Sequence, residues 1–253
     1  MLVDTPAIVL KTIAFRESSL IVTLLSDTHG KIAVMARGAR RHKNKYGGLL
    51  QPGSVLNVTY YYKTTRDVQN LSEVSQNKAT WRIHEQMEKM AVGIATLELC
   101  EQLCHEHEPM PDVFQFLTGF LPWLHETKAN PKNLFPYIQF RLADLIGVGV
   151  AWKMDNPEYI TNPVNDEGSN CYLNIESGCI SPYSDKGVHF KLTKFQLQYL
   201  RYFKEGKKSY LLSESFPPED LRNLIHHMDV YFQYHMDGIK PRRSDAIFQQ
   251  ILN

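Results

Sequence analysis

Near Ala79 the hydrophobic period of the chain changes, and that change decides what it can fold into. Before it, the runs AIVLKTIAF, SLIVTLLS, KIAVMARG, SVLNVTYYYK and VQNLSEV are short and rich in Val, Ile, Thr and Tyr. Turn-forming groups part them: Asp27-Thr28-His29-Gly30, Gly47-Gly48, Pro52-Gly53 and Thr64-Thr65-Arg66-Asp67. Asp27–Gly30 sits between two strong strands and reads as a hairpin. Five such strands fit a Greek-key barrel of the OB type, with a five-stranded SH3-like barrel as the rival that pattern alone leaves open.

After Ala79 the apolar residues Trp81, Ile83, Met87, Met90, Ala91, Ile94, Leu97 and Leu99 recur at helical spacing. Further helices are expected over Asp112–Glu126 after Pro111, Asn133–Ile146 after Pro131, Thr193–Lys204 with Thr193 as cap, Pro218–Met236 and Ser244–Leu252. Residues 150–190 have an irregular texture, with a hairpin expected at Cys171–Ile180 turning on Glu176-Ser177-Gly178. The fold class is therefore α+β: a barrel domain over residues 1–80, then a mainly helical domain over 81–253 that carries an irregular insert.

Several function classes fall away. A hydrophobic fraction of 43% in 253 residues is too high for wholesale disorder. No apolar run approaches the length that spans a bilayer, and Asp4, Pro6 and Lys11 spoil the N-terminus as a signal peptide. Four cysteines are too few for a disulfide framework. The expectation is a cytoplasmic chain with no membrane partner.

The net charge of +1 conceals a division. Residues 1–80 hold eleven Lys and Arg against Asp4, Glu17, Asp27, Asp67 and Glu73, which leaves the remainder acidic. Such asymmetry points the first segment at a polyanion. The densest stretch runs from Arg37 to Gly48 and places Arg37, Arg40, Arg41, Lys43 and Lys45 within nine positions, among small residues that permit close approach to phosphates. Tyr46 and the run Tyr60-Tyr61-Tyr62 add aromatic faces. Alternation in a strand gives Tyr60 and Tyr62 one face and Tyr61 the other, so Tyr46, Tyr60 and Tyr62 are candidates for stacking bases. The competing reading is a solvated loop with tyrosines in the barrel core, and at least one of Tyr60, Tyr61 and Tyr62 is expected there.

Other constellations carry less. Cys100, Cys104, His105 and His107 lie close together, but their spacing matches no standard zinc motif, and Leu97 and Leu103 flank them on an inward face. Cys171 and Cys179 would face each other only across a tight hairpin. His226 and His227 are adjacent on a helix and point apart. No P-loop, G-x-G-x-x-G, G-x-S-x-G or H-E-x-x-H occurs. The chain reads as a non-enzyme with no catalytic residues, no metal and no cofactor.

The stretch from Ala7 to Pro52 also resembles a known family. Glu17-Ser18 leading to Thr23-Leu24-Leu25, then His29-Gly30-Lys31, Gly38-Ala39-Arg40-Arg41 and Leu50-Gln51-Pro52 match, in order, the start of bacterial RecO, the recombination and repair mediators. Phe140-Arg141-Leu142 through Leu145-Ile146-Gly147 is similar to that family's central helix ending, and Tyr231 to Leu252 to its C-terminal helix. The resemblance implies an N-terminal OB-fold, binding of single- and double-stranded DNA, annealing of complementary strands, and work with RecR to load RecA onto strands coated by single-strand-binding protein. On this chain it makes Arg37, Arg40, Arg41, Lys43 and Lys45 backbone contacts, with Lys11, Arg16 and Lys31 as weaker candidates. Zinc-bearing members place two C-x-x-C-type pairs in the insert. Here only Cys171 and Cys179 stand there, so packing rather than zinc is expected to hold it. A partner-binding adaptor with incidental DNA affinity, or a nuclease assembled from distant acids, are the other functions the sequence leaves open.

Overall fold

The computed structural model of the protein describes residues 1–46, 48–153 and 170–252. Gly47 of the expected Gly47-Gly48 turn and residues 154–169 of the expected insert lie outside the described residues. The chain divides into two compact units, one of Met1–Lys128 with Arg242–Ser244, the other of Ala129–Pro241 with Asp245–Asn253.

The first unit is built on a closed barrel of β1 (Leu2–Phe15), β2 (Ser19–Ser26), β3 (Gly30–Ala36), β4 (Val55–Tyr61) and β5 (Val68–Lys78), in the order β1-β2-β3-β5-β4. Strand β3 pairs with β5 in parallel, and β1 closes against β4. This is the Greek-key closure of the OB type and not a meander, which settles the choice between the two barrels. One 14-residue strand serves two neighbours because it bends: β1 pairs with β4 through Leu2–Ile8 and with β2 through Ala7–Phe15, with a register shift between Val9 and Lys11. Alternating side chains, including Ala7, Val9, Val22, Leu24, Ile32, Val34, Leu56, Val58 and Tyr60, fill the interior.

The helical pattern expected from Ala79 opens as a 3-10 turn at Trp81–Glu85, and α1 comes next over Met87–Leu103. After it comes α2, Pro111–Glu126, with proline in its first turn. Helix α1 is buried on most sides because it lies on the barrel: Lys11 Nζ reaches Glu101 Oε1 at 3.3 Å, and Lys31 Nζ donates to the Glu101 carbonyl at 2.7 Å. That second bond satisfies one of the carbonyls a helix leaves unpaired in its last turn. At the β2–β3 hairpin Gly30 has φ +61, and a Cβ there would run into the backbone of Glu108. Ser244 joins this unit by donating from its amide and its hydroxyl to Glu98 Oε2, at 3.0 and 2.7 Å.

The second unit holds α3 (Phe135–Leu145), a four-stranded sheet in the order β6-β8-β7-β9, and the helices α4 (Lys194–Lys204), α5 (Lys208–Ser213), α6 (Pro218–His235) and α7 (Asp245–Ile251). The strands are short: β6 (Ala151–Trp152), β7 (Tyr172–Asn174), β8 (Cys179–Ser181) and β9 (His189–Lys191). Thr193 caps α4 through a reciprocal box with Gln196. Such small strands need support, and α6 supplies it. Tyr231 donates its hydroxyl to the Val148 carbonyl at 2.9 Å, His235 Nε2 bonds the Ile175 carbonyl at 2.8 Å, and His227 stacks on Phe190 at 4.1 Å. Cys171 and Cys179 are buried and free. Cys179 sits opposite Asn174 and Tyr172 opposite Ser181, so the two thiols do not face each other. Among the described residues no three His, Cys, Asp or Glu converge as a metal site, and no helix is long and apolar enough to cross a membrane.

Candidate nucleic-acid interface

The basic stretch joins β3 to β4 and is pinned along its length. Gly38, at φ +73, turns the chain so that the Arg41 amide donates to its carbonyl. The Arg40 amide bonds Ser18, and Arg40 Nη1 bonds the carbonyl of Arg16 at 3.1 Å, which ties this loop to the β1–β2 turn. Arg16 itself is held at φ +53, a conformation uncommon for a residue with a Cβ. Asn44 bridges Arg41 and Tyr46 through its amide, and the Tyr46 ring is sunk into the barrel core. Lys45 Nζ donates to the Ser72 carbonyl on β5 at 2.6 Å.

What remains outside is charge. Arg16, Arg37, Arg40, Arg41, Lys43 and Lys45 are all exposed. Among the described residues none of them has a carboxylate within ion-pair distance. An array of cations on a backbone held by these bonds, with no carboxylate beside it, keeps its attraction for a polyanion.

The register also shows what lies beside the array. Ile13, Ile21, Met35 and Asn70 form one row across β1, β2, β3 and β5, and Lys11, Thr23, Ala33 and Val68 the next. Their neighbours Val22, Val34 and Ala36 are core, so these rows form the outer face, and Ile13 is 50% exposed. At the far end of that face is the β4–β5 loop. Gln69, wholly buried, accepts from the Lys63 amide and donates to the carbonyls of Lys63 and Arg66. The exposed side chains of Lys63 and Arg66 add charge there. Residue type alone did not single them out; the position of their loop in an OB barrel, at one end of the β2–β3 face, is the signal.

The expected site residues therefore separate into groups. Arg16, Arg37, Arg40, Arg41, Lys43 and Lys45 come together on the two linked loops. Lys11 and Lys31 are engaged with Glu101 and serve to seat α1. Tyr46 and Tyr60 are corrections: they are 2% and 0% exposed, and rings closed into a core cannot stack a base. Burial pushes both phenols above their usual range. Tyr60 gives its hydroxyl to a hydrogen bond with His29 Nδ1 at 2.8 Å, and Tyr62, half-buried, packs on the same imidazole at 4.2 Å. Burial, and then His107, hold His29 below the ordinary histidine range. The expected sharing of a face by Tyr60 and Tyr62 ends in a packed cluster, while Tyr61 is 52% exposed. Cys100 and Cys104 are core residues whose thiols burial pushes up, to about 11 for Cys104, whereas His105 and His107 are exposed, so the four do not converge.

Comparison with known proteins agrees with both the barrel and the helical remainder of the chain. Residues 1–79 match the family described as recombination protein O N terminal, and residues 84–245 match recombination protein O C terminal. The chain belongs to the RecO family. It is 31% identical to the DNA repair protein RecO of Salinibacter ruber over 251 residues, covering 99% of this chain and 94% of that one. The RecO of Myxococcus xanthus is 31% identical over 153 residues, 60% of this chain and 61% of that protein. The RecO of Chloroherpeton thalassium is 24% identical over the full length of both. RecO membership makes this a DNA repair protein, and the pinned cations lie within the segment that matches the N-terminal family.

Proposed function

We propose that this RecO protein binds single- and double-stranded DNA through the barrel and promotes annealing of complementary strands without covalent chemistry. Together with RecR it helps RecA onto strands coated by single-strand-binding protein. The observation that carries the reading is the array of Arg16, Arg37, Arg40, Arg41, Lys43 and Lys45, exposed and without carboxylate partners among the described residues. Two strands repel through their phosphates; a protein that neutralises several of them lowers that repulsion and gains affinity from released counterions. Such contacts fix register on the backbone and read no sequence. The flanking apolar row of Ile13, Ile21 and Met35 offers unstacked bases a surface.

The test is annealing of two complementary labelled oligonucleotides, monitored by fluorescence transfer, with and without the protein across a salt series. Acceleration that fades as salt rises is the expected result. Normal folding with no acceleration at any salt would overturn the annealing role and leave an adaptor.

A further inference from the structure

The second unit carries a basic surface of its own, which the overall acidity of that half conceals. Between Lys186 and Lys208 the chain holds seven Lys and Arg against Glu205 alone. Helix α4 gathers three of them on its solvent side, since Lys194, Arg201 and Lys204 fall within about 80° of one another at helical spacing. The next turn brings Lys207 and Lys208.

These cations are interleaved with aromatic rings. Lys204 Nζ lies 4.9 Å from the centre of the Trp152 ring, Lys208 Nζ 5.3 Å from that of Tyr137, and Lys207 Nζ 5.7 Å from that of Tyr210. Tyr210 also lies against Tyr202, ring centres 5.1 Å apart, and Gln198 donates to the Tyr202 hydroxyl. Glu205 accepts from both Arg201 and Lys207 at 2.7 Å, which fixes those two in place. Lys204 and Lys208 have no carboxylate within ion-pair distance among the described residues, and Tyr210 is 46% exposed. Tyr210, with Tyr202 on one side and the Lys207 amine near its ring, still leaves nearly half of its surface open to solvent.

We infer that this surface, Lys204, Lys207 and Lys208 with Tyr202 and Tyr210, is a second binding site for single-stranded nucleic acid. The lysines meet backbone phosphates, and Tyr210 presents its ring to a base. A positively charged track set with aromatic faces is the arrangement that holds a single strand without regard to sequence. A rigid duplex keeps its bases stacked on one another and gains only from the lysines. The inference extends the proposed function, since an annealing protein with one strand on the barrel and another on this unit carries both reactants.

The experiment uses the full chain and two non-complementary oligonucleotides, one carrying a fluorescence donor and one an acceptor, so that energy transfer reports both strands on one protein. The wild type is expected to take up two strands per chain. The K204E/K208E variant, whose changes leave the Glu205 ion pairs alone, is expected to take up one, losing the transfer signal while its remaining site keeps its affinity within about twofold. The Y210A variant is expected to weaken the second strand by about tenfold, the scale of one lost base stack. K204R/K208R should restore two-strand uptake. If K204E/K208E still takes up two strands, this second site is overturned and the barrel reading stands. If K204E/K208E loses all binding while R37Q/R41Q loses none, the barrel reading fails and this one survives.

Discussion

Replacing Arg37 and Arg41 with glutamine removes two positive charges from the barrel array and leaves the loop's own bonds in place. Arg40 is the wrong choice for a clean test, because its guanidinium also holds the Arg16 carbonyl. The array has six exposed cations, Arg16, Arg37, Arg40, Arg41, Lys43 and Lys45. For a single strand, each phosphate neutralised contributes about −0.7 to the slope of log K against log salt, so six contacts give about −4.2 and four give about −2.8. If the two lines meet near 1 M salt, the variant binds about 70-fold more weakly at about 50 mM and about tenfold more weakly at about 200 mM. Anisotropy of a labelled oligonucleotide titrated at several salt concentrations measures both slopes in the K204E/K208E background, where the second-unit surface no longer contributes. Thermal unfolding of each variant checks that the barrel is intact. An unchanged slope with an intact fold would falsify the assignment of these arginines to the interface, and a drop in affinity at constant slope would mean that the substitutions act through the fold.

Three other outcomes rest on the packing. K31M should lower stability by about 1 kcal/mol, the worth of a cation at a helix C-terminus, while leaving the salt slope of DNA binding unchanged; denaturant titration and anisotropy separate the two. G30A should cost more than about 2 kcal/mol, because φ +61 strains an L-residue and the added methyl meets the Glu108 backbone, and a shifted urea midpoint reports it. His227, 8% exposed and stacked on Phe190, has its pKa lowered from 6.5 to about 4 by burial and then by His226. Below about pH 6.5 the unfolded chain takes up a proton that the folded ring refuses until about pH 4, so stability falls as pH drops across that window, by up to about 3 kcal/mol. In H227F that loss should be absent from unfolding curves recorded between pH 7 and 4.5; an equal loss in the variant would assign the acid sensitivity to another group.

Much of the barrel was legible because its signals are local. Alternation, as in β3 with every second residue buried, and turn residues such as Asp27–Gly30 act over a few positions. The helix starts at Pro111, Thr193 and Pro218 were readable for the same reason. What was not legible depends on contacts between distant residues. Nothing near Lys31 in sequence announces that its amine ends on Glu101, and a lysine count treats it as a free cation. The Tyr60 side chain faces the barrel axis by strand parity, but parity has no sign until the register with β1 and β5 is known.

Charge failed as a guide for a different reason. Averaging over the first 80 residues brought out their basic excess because the acids there are few; averaging over the rest hid a run of seven cations between two acidic stretches. The phosphate of a bound strand responds to charge within about 10 Å, the screening length in dilute salt, and not to the sum over a domain. A window matched to that length, about two helical turns, would have picked out Lys204 to Lys208 as readily as Arg37 to Lys45. The two surfaces then share one physical description, clustered basic side chains exposed on a folded backbone, and differ in what lies next to the charge. On the barrel it is an apolar strand face with Ile13 and Met35; on the second unit it is a pair of tyrosines, one of them open to solvent. That difference predicts that the second surface prefers single strands more strongly than the first, because an aromatic face rewards an unstacked base and an aliphatic row does so only weakly.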